Sequence, residues 1–165
     1  DALRSVLNVP VVGICQASMQ AAAVLSNKFS IITTLPVSVP ALENLVRRYG
    51  FGDMCCRVRA ADIPVLDLET NSKEAILAIK KELERALAED GAEAIILGCA
   101  GMVDLSRTLT SQYHMPVIDG VGAAIKLVEG LATLGLPTSS LGGYASPPKK
   151  SYSGVLARYS PDIEA

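Results

Sequence analysis

The segment Ala92-Glu93-Ala94-Ile95-Ile96-Leu97 is apolar but for one residue and stops in Gly98-Cys99-Ala100-Gly101. An aliphatic run that short is expected of a strand buried on both faces, which a parallel sheet flanked by helices provides. Similar runs occur at Phe29-Ser30-Ile31-Ile32-Thr33-Thr34-Leu35, Met115-Pro116-Val117-Ile118 and Val9-Pro10-Val11-Val12-Gly13-Ile14, with a further strand expected from Cys55 to Ala60. Helical patterns separate them. Ala2 to Leu7 reads as a helix end stopped by Asn8 and Pro10, and residues 16–26 as an Ala-rich helix. Pro40 can open a helix bearing Leu42, Leu45, Val46 and Tyr49, which Gly50 and Gly52 close. Ile63 to Leu68 reads as extended, after which Ser72 caps a long helix whose apolar side carries Ile76, Ile79 and Leu83 and which Asp90-Gly91 ends. Leu105 and Leu109 mark a short helix, and residues 121–134 the last one.

Strands alternating with helices at this spacing predict an α/β fold with a mostly parallel sheet. Asn8 to Gly13 and His114 to Gly120 are near-repeats, each ahead of an Ala-rich helix, which points to two similar lobes. Beyond Gly135 the composition turns to Pro, Ser, Gly and Tyr, so residues 136–165 are expected to form an extended tail.

Composition narrows the function classes. With half of its 165 residues apolar, the chain can bury about two-thirds of its unfolded surface, which excludes disorder for most of it. Fifteen basic against seventeen acidic residues leave no basic stripe, and nucleic acid is not an expected partner. No apolar run approaches the ~18 residues of a membrane span, so no membrane association is expected. The cysteines Cys15, Cys55, Cys56 and Cys99 form no CxxC pair. A disulfide framework or zinc ribbon is therefore not expected, no metal site is indicated, and a reducing, cytoplasmic setting fits. Neither GxGxxG after a strand nor a P-loop motif is present. Residue 1 is Asp, and the chain is expected to begin inside a longer protein.

In open parallel sheets, ligands bind beyond the carboxyl ends of the strands. Cys99 stands at such an end between two glycines, where a helix start favours the thiolate; the other reading is a small buried hydrophobe. Thr33, Thr34 and Ser38 could hold a carbonyl or amide, or be ordinary strand and turn residues. Asp119 could meet substrate, although capping the next helix is the simpler role. His114 precedes a strand, at the wrong end of the sheet, and reads as a surface residue. Cys15 could approach a crevice, although packing is the simpler role, and Cys55 and Cys56 are expected to point to opposite faces of their strand, one in the core and one half-exposed.

Several segments carry a resemblance. Pro10 to Ile14, Phe29 to Leu35, Val46-Arg47-Arg48-Tyr49-Gly50, Glu89 to Met102 and Pro116 to Val121 together resemble the hydantoin/allantoin racemase branch of the aspartate/glutamate racemase superfamily, from residue 1 to about 154. Gly98-Cys99-Ala100-Gly101-Met102 is its most specific part, and the tail from Gly142 to Tyr152 looks more like the allantoin racemases. The resemblance implies a cofactor-independent, metal-free racemase of a small cyclic ureide, assembled as a homo-oligomer, with two α/β lobes and one cysteine from each facing the stereocentre. Carried over by position, Cys99 is the second-lobe cysteine. Gly98, Ala100, Gly101 and Met102 would line the substrate with backbone groups, joined by Thr33, Thr34 and Ser38. The first-lobe cysteine falls upstream of Asp1, and neither Cys15 nor Cys55-Cys56 matches it. On this reading residues 1–14 are a remnant of an incomplete first lobe and 15–119 the second lobe, while 120–135 return to the first lobe and 136–165 are tail. The chain alone is then expected to be inactive or nearly so. Two alternatives stand beside it: a decarboxylase of the same superfamily using the second-lobe cysteine alone, and an inactive, ligand-binding homologue.

Overall fold

The computed structural model describes residues 1–69 and 73–161, so the expected cap at Ser72 and the last four residues of the expected tail lie outside the described residues. Four strands form where apolar runs predict them: β1 (Phe29–Thr33), β2 (Cys55–Ala60), β3 (Ala94–Leu97) and β4 (Val117–Asp119). They are parallel, in the order β2-β1-β3-β4, with Ile32 beside Leu97 and Leu97 beside Asp119. Every residue of β1 and β3 is buried, which is why these central strands are mostly apolar without alternation, Ser30 and Thr33 of β1 being the buried polar residues.

The connecting segments give α1 (Ile14–Leu25), α2 (Val39–Arg48), a short α3 (Leu66–Glu69), α4 (Lys73–Arg85), α5 (Val103–Tyr113) and α6 (Gly120–Thr133). Met19 and Ala22 of α1 and Val46 of α2 cover one face of the sheet, against Phe29, Ile31, Ala94, Ile96 and Ile118. Ile79 and Leu83 of α4 and Leu109 of α5 cover the other, against Ile32, Ile95, Leu97 and Val117. Each of the larger side chains among them contributes about 1.5–3 kcal/mol on burial, so both faces of the sheet are held by apolar packing.

A polar element sits within the second face. Arg59 of β2 is only 4% exposed and clamps the buried Asp90 with two bonds, Nη2 to Oδ1 at 2.6 Å and Nε to Oδ2 at 2.7 Å. Ser30 Oγ donates to the same carboxylate at 2.9 Å, and Glu89 accepts from Arg59 Nη2 at 2.7 Å. Asp90 closes the π-helical turn Ala86–Asp90 that continues α4, so the clamp ties the end of that helix to β1 and β2.

Three sequence expectations are corrected. Residues 9–13 form no strand, and Ile14 starts α1 instead of ending one. The carbonyls that a ladder would need are taken: Asn8 O accepts from the Thr138 amide at 3.0 Å, Val9 O from Thr138 Oγ1 at 2.7 Å, and Val11 O from Arg4 Nε at 3.0 Å. Pro10 contributes no donor, and Val9 is exposed. The expected helix end before it is a single 3-10 turn, Leu3–Ser5. Ile63 to Leu68 is not extended throughout, because its second half turns into α3 and buries Leu68.

The chain divides into two compact units, Val12–Gly130 and Asp1–Val11 with Leu131–Ala165. The first holds the whole sheet. In the second, the Arg4 guanidinium lies 5.7 Å from the centre of the Tyr144 ring, and Ser160 Oγ accepts from the Tyr152 amide at 2.9 Å. Short 3-10 turns at Gly142–Tyr144 and Gly154–Tyr159 are the regular structure of its described carboxyl-terminal part beyond α6. No helix among the described residues is long and apolar enough to cross a membrane.

Candidate active site at the carboxyl ends of the strands

The strand order places a crevice. β1 leads to α2 on one face of the sheet and β3 leads to α5 on the other, so the two central strands, which are neighbours, send their following chains in opposite directions. At such a switch point the loops part and leave room for a ligand.

Gly98 and Cys99 occupy this place. Gly98 donates its N–H to Ile32 O at 2.8 Å, which holds the loop against β1. A Cβ on Gly98 would stand 3.1 Å from Ile31 Cγ2 and 3.2 Å from Ile32 O, a tight fit that β1 would have to yield to by a few tenths of an ångström. Cys99 follows in extended conformation, half-buried, at the head of the 3-10 turn Ala100–Met102 that runs into α5. Its carbonyl accepts from the Met102 amide at 3.1 Å. The N–H groups of Ala100 and Gly101 have no protein acceptor among the described residues, as is usual in the first turn of a helix. They offer two donors beside the thiol.

The predicted residues are not placed alike. Gly98 and Cys99 are half-buried and Ala100 and Gly101 exposed, all in one loop. Met102 is fully buried with Ile79 and Leu97, and its N–H is used within the loop. Thr33 ends β1 next to this loop and Thr34 follows it; both are buried, and the Thr33 Cβ lies 3.3 Å from where a Gly98 Cβ would be. Ser38 is further on, at the end of the 3-10 turn Pro36–Ser38. Asp119 caps α6, accepting from the Gly122 amide. His114 is exposed, in left-handed conformation at the end of α5, and leads into the amino end of β4.

One residue near the thiol, Cys15, reaches the crevice although packing is the simpler expectation from sequence. A cavity of about 140 Å³ is lined by Cys99, Gly98 and Ala100 together with Ile14, Cys15 and Ser18 of α1, Ile31, Leu42, Ile96, Leu97 and Gly120. Cys15 does both things open to it: it packs against the core face that holds Met19 and Phe29, and it lines the same space as Cys99. The available signal was its spacing: Cys15, Ser18, Met19 and Ala22 fall on one face of α1, with Cys15 and Ser18 lining the crevice and Met19 and Ala22 in the core. Burial pushes the Cys15 thiol up from its ordinary range. The same cause, aided by neighbouring Cys56, pushes Cys55 up to about 12, so these thiols stay protonated at neutral pH. Cys55 and Cys56 lie at an irregularity in the β1-β2 register and both line one shallow depression at the sheet edge, with Cys55 packed against the core face that holds Phe29.

Gly120 closes the cavity where α6 meets α1. A Cβ there would come 2.9 Å from Ile14 O, backbone that cannot step aside cheaply. Gly120→Ala is accordingly expected to cost about 1–3 kcal/mol in urea denaturation, as overpacking does. A loss below measurement error would show that the two helix starts separate freely.

Comparison with known proteins agrees with this architecture. Residues 1–128 match the model of the family described as Asp/Glu/Hydantoin racemase. The chain is 51% identical over 153 residues to a hydantoin racemase of Rhizobium meliloti, covering 93% of this chain and 64% of that protein. It is 41% identical over 158 residues to a hydantoin racemase of Pseudomonas sp. (strain NS671), covering 96% of this chain and again 64% of the relative. Among solved structures, an allantoin racemase from Klebsiella pneumoniae superposes with a TM-score of 0.89 at 44% identity, covering 97% of this chain and 65% of that one. The allantoin racemase of Pseudomonas fluorescens gives 0.88 at 40% identity, covering 93% and 65%. This chain thus spans less than two-thirds of the length of these relatives. With a family match over most of its length and a parallel sheet that superposes on two racemase structures, the chain belongs to the Asp/Glu/Hydantoin racemase family.

Proposed function

We propose that the whole protein is a cofactor-independent racemase of hydantoin-type cyclic ureides in which Cys99 is one of two proton-transferring groups. The observation that carries this reading is the placement of Cys99 at the switch point of the sheet, beside the free N–H groups of Ala100 and Gly101. The C5–H of a hydantoin ring is acidified by the adjacent carbonyl. A thiolate at Cys99 takes that proton, the C–H electron pair moves into the ring carbonyl, and the two amides steady the enolate oxygen. Inversion then requires a second group to deliver a proton to the opposite face, since a single base would return it where it was. That group is supplied by the part of the whole protein that this chain does not span. Gly98, Thr33, Thr34 and Ser38 line or support the substrate from the two strand ends, and Met102 acts through its backbone in holding the loop.

The test follows one enantiomer of a 5-substituted hydantoin or of allantoin with the whole protein in D2O. Optical rotation is expected to decay faster than in buffer, with deuterium appearing at C5. Rotation that persists at the buffer rate for every ring would overturn the proposal.

A further inference from the structure

The cavity beside Cys99 is more apolar than acid-base chemistry requires. Ile14, Ile31, Leu42, Ile96 and Leu97 supply most of its lining, and Cys15 and Ser18 the side-chain heteroatoms other than Cys99 itself. Neither offers much to a polar ligand. Ser18 Oγ already donates to Cys15 O at 2.9 Å, and Cys15 is held protonated by its burial. The volume of about 140 Å³ is close to that of an engineered apolar cavity of about 150 Å³ that takes up benzene. A ureido group placed here would lose its water and find few partners for its N–H groups and carbonyl, which makes it a poor occupant.

We infer that this cavity receives the substituent at C5 of the ring, that it selects an apolar group of isobutyl to benzyl size over the ureido group of allantoin, and that Cys15 sets its depth. The inference rests on the reading of Cys99 as the group that meets C5, and it separates the two kinds of racemase that the chain resembles. Cys15 is the residue to vary because it reaches the cavity from the first turn of α1, whereas Ile31, Ile96 and Leu97 are sheet residues whose replacement disturbs the core.

The experiment compares 5-methyl-, 5-isobutyl- and 5-benzylhydantoin with allantoin on the whole protein, its Cys15→Leu variant and its Cys15→Ala variant. Racemisation rates are read together with binding by calorimetry. The unaltered protein is expected to favour the isobutyl or benzyl ring over allantoin about tenfold or more in kcat/KM, the discrimination that an apolar pocket achieves. Cys15→Leu adds two heavy atoms and should lower the benzyl-to-methyl ratio about tenfold, through KM and not kcat; Cys15→Ala should raise it. Should Cys15→Leu fail to fold, the direction of the Cys15→Ala change decides. A preference for allantoin, or a benzyl-to-methyl ratio that neither variant moves, overturns the inference. If no ring is racemised, the reading of Cys99 fails separately: Cys15-dependent binding of the apolar rings then still supports the subsite, and binding that ignores Cys15, or no binding, sinks it.

Discussion

Replacing Cys99 by Ser in the whole protein should lower racemisation of either enantiomer by about 10²–10⁴-fold, the usual contribution of a positioned general acid-base group. The substitution is nearly isosteric, so the loop and its Gly98 to Ile32 hydrogen bond should persist and unfolding should be almost unchanged. A serine hydroxyl is far too weak an acid to supply the anion at neutral pH. KM should move little, because the lost interaction is a proton transfer and not a contact that binds the ring. Exchange of C5–H for deuterium offers a sharper readout. If a second group faces the other side, Cys99→Ser should suppress exchange unequally for the two enantiomers, since each approaches Cys99 with a different bond. Undiminished racemisation in this variant would remove Cys99 from the mechanism. Cys99→Ala, which cannot hydrogen-bond at all, guards against a serine that works through water.

Arg59→Met should be the most destabilising of the single changes considered. It leaves Asp90, whose side chain is 2% exposed, with Ser30 Oγ at 2.9 Å and the exposed Arg57 guanidinium at 3.6 Å, and truncating one partner of a buried pair costs about 3–5 kcal/mol. The Arg59 guanidinium holds the Asp90 carboxyl below its usual range against the opposing effect of burial, with a smaller contribution from Ser30. A depressed native value means that the pair stabilises the fold fully above the unfolded-state pKa of about 3.9 and loses that contribution as pH falls through the native value. In the variant the burial penalty is opposed only by Ser30 and the exposed Arg57, so protonating Asp90 relieves it. The stability gap between the two proteins should therefore be widest near pH 7 and narrow as pH falls toward 4. Urea titrations at the two pH values check this, and a gap that is small or independent of pH would contradict it. Arg59→Met combined with Asp90→Leu should recover much of the loss, as apolar replacements of buried pairs commonly do.

Much of the fold was legible because the central strands are buried on both faces. Buried strands favour apolar residues, so β3, which is wholly aliphatic, and β1, apolar but for Ser30 and Thr33, are close to a statement of their environment. Gly98 and Cys99 could be picked out for a related reason: a strand that ends abruptly in small residues marks where backbone passes close to backbone. The failures share a different cause. Val9 to Ile14 is as apolar as a strand, but a strand exists only with a neighbour, and here a loop and the Arg4 side chain take its carbonyls. Arg59 gave no hint of its partners, since Glu89 and Asp90 lie about thirty residues away in sequence.

The sequence by itself determined the class of fold, the places of the four strands and the loop that presents Cys99, because burial and turn chemistry are local demands on residue type. Only the tertiary structure decided which strands are neighbours, and hence that β1 and β3 open the crevice between them. It alone brought Cys15 and Ser18 of α1 to the same cavity as Cys99, more than eighty residues apart in sequence. Strand order and helix placement are set by the sum of many weak apolar contacts between distant segments, and no single stretch of sequence contains that sum.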